Sequence, residues 1–193
     1  MKTEIEVRIR QDFEPMSPRE WDNYGIMVCG HRRYNLGDAH DIPLDSFNSW
    51  EEVEDFLVRN EGAVVILPLY LYDHSGISMS TQSFSGRAHH ADWDSGQVGF
   101  IYATRESIKK MQGWTKLSKE RLTKVEGYLR GEVEEYDKYL RGDVWGYEII
   151  VDDVAVDSCW GIFGEEYAKE EAISNATYCL TKALKDNLEV EYA

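Results

Sequence analysis

The chain has 193 residues, with 21 Lys and Arg against 36 Asp and Glu, for a formal charge of −15. Such acidity opposes contact with nucleic acid and anionic membranes and favours basic partners, although it also serves solubility alone. The length predicts one compact domain over 1–193 that needs no staple, and Cys29, Cys159 and Cys179, which make no C-x-x-C pair, predict reduced, core-packed thiols rather than a disulfide framework or a zinc knuckle.

The first predicted element is "TEIEVRIR", where Ile5, Val7 and Ile9 alternate with charged residues. Period two predicts a half-buried strand. "YGIMVCG" predicts a second short strand, and "HRRYNLGDAHDIPLDSFN" a loop. "SWEEVEDFLVRNEG" is helical, with a capping box expected between Ser49 and Glu52 and an apolar face of Trp50, Val53, Phe56 and Leu57.

"AVVILPLYLY" reads as a central strand in which Pro68, lacking an N–H, requires a bulge or an open edge. "QVGFIYAT" is a further strand, and "TRESIKKMQG" a short helix capped by Thr104 and ended by Gly113. Over residues 117–141, Leu122, Val125, Leu129, Val133, Tyr136 and Leu140 form a helical stripe. Gly127 and Gly131 are expected to weaken that helix enough to fray or break it. "VWGYEIIVDDVAVDSCWGIFG" predicts a hairpin turning at Asp152-Asp153. A last helix over about 165–186 is expected to pack through Ala172, Ala176, Cys179, Ala183 and Leu184. Helices interspersed among strands without a βαβ rhythm predict an α+β fold, a mostly antiparallel sheet with three to four helices packed on it. Tyr70, Val98, Phe100 and Trp160 are its expected buried sheet residues, and Cys159 falls in the same buried strand.

The chemistry-bearing residues gather between strands. Residues 68–102 hold His74, His89 and His90 with Asp73, Asp92 and Asp94, and an earlier loop holds His31, Asp38, His40 and Asp41. These are ligand types for zinc or manganese, and a metal-dependent hydrolase using His31, Asp38, His40 and His74 is one reading. The spacings match no H-E-x-x-H or calcium-loop template, and adjacent His89 and His90 point to opposite faces of an extended chain, so no metal or other cofactor is expected. No G-x-S-x-G elbow, Walker loop or dinucleotide fingerprint occurs, so no catalytic residue is assigned.

Four segments join an acid or Ser, a Gly and an aromatic at predicted strand ends: "YDHSG", "DWDSGQVG", "RGDVWGY" and "DSCWGIFG". Turn chemistry accounts for them, and so does a contact surface of Tyr72, Trp93, Trp145 and Trp160. The acid lies at the chain's two ends. Residues 1–60 carry 7 basic and 13 acidic side chains, 61–116 carry 5 and 5, and 117–193 carry 9 and 18. Glu126, Glu132, Glu135, Asp137, Tyr139, Asp143 and Trp145 are the candidate partner-binding residues, with Glu126, Glu132 and Glu135 expected to lack an opposite charge at helical spacing. Such a cluster is either a solvated helix face or an imitation of a phosphate backbone.

The blocks "LPLYLYDHSGISMST", "WDSGQVGFIYATRESI", "EVEEYDKYLRGDVWGY" and "VDSCWGIFG" resemble those of a family of small acidic proteins carried by phages, plasmids and gut-bacterial genomes, over roughly residues 21–165. The family has no settled enzymatic activity, and "SGRAHHA" looks like an insertion relative to it. The resemblance and the charge together imply a non-enzymatic counter-defence protein, anti-CRISPR or anti-restriction. Its expected partner is a host nucleic-acid-targeting nuclease or its complex. The expectations that follow are a monomer or homodimer in the bacterial cytoplasm, with no direct nucleic-acid binding and no membrane contact.

Overall fold

The computed structural model of the chain describes residues 4–88 and 90–189, with side chains described through Lys182. His89 and the packing expected of Ala183 and Leu184 lie outside what is described. In chain order the elements are β1 (Ile5–Gln11), β2 (Ile26–Cys29), α1 (Trp50–Arg59), β3 (Ala63–Asp73), β4 (Ile77–Ser80), α2 (Ala91–Asp94), β5 (Ser95–Thr104), α3 (Arg105–Gln112), α4 (Lys119–Leu140), β6 (Val144–Val151), β7 (Val154–Phe163) and α5 (Glu165–Glu189). Single 3-10 turns occur at Pro18–Glu20 and Leu44–Ser46. The architecture is α+β, with two antiparallel sheets of three and four strands rather than one. Contacts divide the chain into two compact units, one of residues 1–16 and 142–193 and the other of residues 17–141.

In the first unit the strand order is β1-β6-β7. β1 alternates half-buried Ile5, Val7 and Ile9 with exposed Glu6, Arg8 and Arg10, as period two dictates. β6 and β7 turn through Asp152 and Asp153, both at positive φ (48° and 65°), the backbone of a two-residue hairpin loop. The Asp152 side chain also accepts the Glu4 N–H at 2.9 Å. α5 buries Ala168, Ala172 and Ala176 against Tyr147, Ile149 and Ile162, with Cys179 packed alongside.

β7 departs from expectation. Its residues 154–160 are all exposed, including Cys159, and Trp160 is 46% exposed. β7 is an edge strand, and its ladder with β6 slips twice, between Trp145 and Tyr147 and between Ile149 and Ile150. Gly161 at φ 75° makes one of these bulges, and the Trp160 ring lies over Gly146.

In the second unit the order is β2-β5-β3-β4. Alternation along β5 sends Ile101 and Ala103 to one face, where Val125, Leu129, Val133 and Tyr136 of α4 meet Leu69, Leu71 and Met79. It sends Phe100 and Tyr102 to the other, where Val53 and Leu57 of α1 cover them. Val98 and Phe100 are buried as expected, while Tyr70 is half-buried. Gly99 lets β2 approach, because a Cβ there would stand 1.9 Å from the Val28 carbonyl oxygen. Both devices that Pro68 requires are present: the β3–β5 register shifts between Leu69 and Tyr70, and β4 pairs only with Tyr70–Asp73, leaving that edge open at Pro68.

Ser49 caps α1 by accepting the Glu52 N–H, but the reciprocal arm of the expected box goes elsewhere: the Glu52 carboxylate accepts from the Asn48 N–H at 2.9 Å. A reciprocal box instead forms at α3, between Thr104 and Ser107, and Gly113 ends that helix in the left-handed region. α4 runs unbroken through Gly127 and Gly131, contrary to the expected fraying. Both glycines sit on its exposed side, and the buried stripe supplies the stability that their propensity withholds.

Candidate functional site: the acids of α4 and of the terminal unit

Residues on α4 advance by about 100° each, so the helix has a buried stripe, two flanks and one outward face. The candidate acids divide among these positions. Glu132 and Tyr139 fall on one flank, beside residues 17–38. The Glu132 carboxylate accepts from Arg19 Nη1 at 3.0 Å and from the Tyr24 and Gly25 N–H groups. Arg19 also donates twice to Asp38, at 2.8 and 2.7 Å, and once to the Gly25 carbonyl. Asp38 in turn accepts the Met27 N–H. The Arg19 side chain is only 5% exposed; two carboxylates and the Gly25 carbonyl accept from it, and the Tyr24, Gly25 and Met27 N–H groups hold those carboxylates in turn. Tyr139 stacks on Tyr136, whose hydroxyl accepts the Gly37 N–H.

Glu126 and Asp137 fall on the opposite flank. Glu126 pairs with Arg130 at 2.7 Å, and Arg130 continues to Thr81 Oγ1 at 2.8 Å. Asp137 accepts from Ser78 Oγ and the Met79 N–H, fastening α4 to β4, and pairs with Arg141. The expectation that Glu126 and Glu132 lack partners is therefore corrected. Glu126 precedes its arginine by four residues on the same helix, and the partner of Glu132 lies far outside it.

The outward face holds Glu134 and Glu135 together with Lys124 and Lys138. Partial burial raises the pKa of Glu135, Lys138 lowers it and Glu132 raises it again. The α4 surface is thus mixed in charge.

Asp143 and Trp145 belong to the first unit. Asp143 accepts from Trp145 Nε1 at 2.8 Å and from the Glu165 N–H at the start of α5, so it serves the fold as a capping group. Trp145 is half-buried. The acid excess read at the chain's ends falls largely in this unit, which carries 16 acidic side chains against 6 basic ones, compared with 20 and 15 in the second unit. The unit also exposes Val154, Val156 and Trp160 on β7 and Tyr167 and Tyr178 on α5. The other two proposed contact aromatics belong to the second unit, where Trp93 is 90% exposed and Tyr72 is half-buried against Phe84 and His74.

The histidine loops are engaged locally. His31 stacks on Tyr34, His40 Nε2 meets the Cys29 carbonyl at 3.1 Å, and His74 Nδ1 meets Asp94 at 2.9 Å. The carbonyl accepts from an N–H at His40 Nε2, and the buried Nδ1 has no hydrogen-bond partner among the described residues. Among the described residues no three His, Cys, Asp or Glu side chains are grouped to hold a metal ion, and no helix is long and apolar enough to cross a membrane. No family model, no curated protein and no solved structure matches the chain.

Proposed function

We propose that the protein is a non-enzymatic counter-defence factor that binds and inhibits a host nucleic-acid-targeting nuclease, a CRISPR effector, through an acidic, aromatic-bearing surface. The observation that carries this reading is the composition of the first unit: a net charge of −10 from 16 acids and 6 bases, beside exposed Val154, Val156, Trp160, Tyr167 and Tyr178. Carboxylates steer and orient a basic partner, and aromatics anchored among them supply contact energy. The bases of a nucleic-acid channel complement this charge. Two bulges interrupt β7, so the partner meets side chains rather than adding a strand to the ladder. Of the α4 candidates, Glu126, Glu132 and Asp137 are engaged in ion pairs of the fold.

The test is a cleavage assay with a purified RNA-loaded CRISPR effector at fixed concentration, titrated with the protein. Inhibition that saturates at a fixed molar ratio supports the proposal. Inhibition by trace amounts, or none at excess, removes it.

A further inference from the structure

The sheet of the first unit has two edges, and they differ. β7 is bulged twice, whereas β1 pairs with β6 without a slip from Ile5 opposite Val151 to Gln11 opposite Trp145. β1 contains no Pro or Lys, and among the described residues no strand pairs on its other side. It is a straight edge that lacks the bulge, Pro or Lys by which such edges are commonly blunted.

The hydrogen bonds at the ends of β1 fix which backbone groups point outward. The Asp152 N–H donates to the Glu4 carbonyl, and the Asp12 N–H donates to the Val144 carbonyl. In an antiparallel ladder the bonded residues recur at every second position. Glu6, Arg8 and Arg10 therefore turn their backbone groups toward β6, and the N–H and C=O groups of Ile5, Val7 and Ile9 point to the open edge. The side chains of these three residues pack on the core beneath α5, yet they stay half-buried because the sheet ends beside them.

We infer that a second copy of this chain covers this edge, its β1 running antiparallel to the first about a two-fold axis at Val7. Ile5 then faces Ile9 of the second copy, Glu6 faces Arg8 and Glu4 faces Arg10. The charged pairs fall at the non-hydrogen-bonded positions, where facing side chains are closest. An axis at Ile5 sets Glu4 against Glu6, and one at Ile9 sets Arg8 against Arg10. Axes at Glu6 and Arg8 oppose each to its own copy. Only the axis at Val7 gives every charge its opposite. Glu6 already pairs with Arg8 along the strand, through Nε and Nη2, which leaves Nη1 for the carboxylate of the second copy. Exposed pairs of this kind hold little energy, so they set the register, while backbone bonds and the covered apolar stripe hold the strands. Residues 4–10 carry two acids and two bases in a unit of net −10, so two copies approach here with little repulsion. The two three-stranded sheets become one, and β7 stays at each outer end.

The experiment is sedimentation of the full chain from about 1 to 300 µM. The mass is expected to rise from 22.3 kDa toward twice that value. Glu6→Arg and Arg8→Glu each set like charges across the axis, and each is expected to weaken self-association by about tenfold or more. Mixed in equal amounts, the two variants face each other with opposite charges and are expected to associate again at the strength of the parent chain. That recovery also shows that both variants fold. A chain that keeps 22.3 kDa at the highest concentration, single variants that associate like the parent, or a mixture no tighter than its components would each overturn the inference.

Discussion

Arg19 and Glu132 stand 113 positions apart and form a half-buried ion pair at 3.0 Å, with side chains 5% and 15% exposed. The pair joins the 3-10 turn at Pro18–Glu20 to the middle of α4. Removing Glu132 leaves Arg19 paired with Asp38 but takes the acceptor from the Tyr24 and Gly25 N–H groups, which costs about 1–3 kcal/mol. Glu132→Ala is therefore expected to lower stability by that order, as read by urea unfolding. A variant that unfolds like wild type would mean that the pair with Asp38 alone holds Arg19 and that water serves the Tyr24 and Gly25 N–H groups.

Gly127→Ala and Gly131→Ala are expected to stabilise the chain, by about 1 kcal/mol each. Both positions lie inside a continuous helix, and an added Cβ meets no atom within 4 Å. Denaturant midpoints of the two single variants check this. A fall in either midpoint would show that the glycine is needed for close approach.

Much of the fold is legible in the sequence because it is local. Alternation of Ile5, Val7 and Ile9 predicts β1, Thr104 and Gly113 bracket α3, and Asp152-Asp153 marks the hairpin. What is not legible depends on distant partners. Nothing near Glu132 in the chain announces Arg19, so it reads as a free surface acid. Trp160 sits in a strand as apolar as β5, yet strand order places β7 at an edge and β5 in the interior of its sheet. The acid of the first unit is legible as the excess of the C-terminal part of the chain, since residues 142–193 carry 12 acids and 3 bases and residues 1–16 carry 4 and 3; that these two segments form one unit is not.

Phe100 and Trp160 turn that difference into a measurement. Phe100 is 4% exposed between α1 and its sheet, and Phe100→Ala is expected to cost about 3–5 kcal/mol. Trp160 is 46% exposed, and Trp160→Ala is expected to cost clearly less stability while weakening partner binding by on the order of 2 kcal/mol. Thermal melts and binding titrations of the two variants separate the roles. Equal losses of stability would return Trp160 to the core.

Cys29 sets a pH limit. Burial pushes its thiol up to about 12 from an ordinary value of 9.0, with Asp38 raising it further and Arg19 lowering it. The folded chain thus holds this proton more tightly than the unfolded chain. The stability from this group is complete below about 9 and is lost as pH rises toward 12. Tyr102, pushed up to about 12 from 10.0 mainly by burial, acts in the same direction. Stability by urea unfolding is expected to fall across this window, less steeply in Cys29→Ala. At pH 8 a thiol reagent is expected to label exposed Cys159 rapidly and half-buried Cys29, whose thiol stays protonated, far more slowly.

The central claim, that an acidic surface docks on a basic nuclease, is tested most directly by the dissociation constant of the purified protein and an RNA-loaded CRISPR effector, measured at 50 and 200 mM salt. Carboxylates facing a Lys/Arg channel lose attraction as salt screens them, so the account predicts a weakening of at least about tenfold across that range. An affinity that stays constant between the two salt concentrations would contradict it.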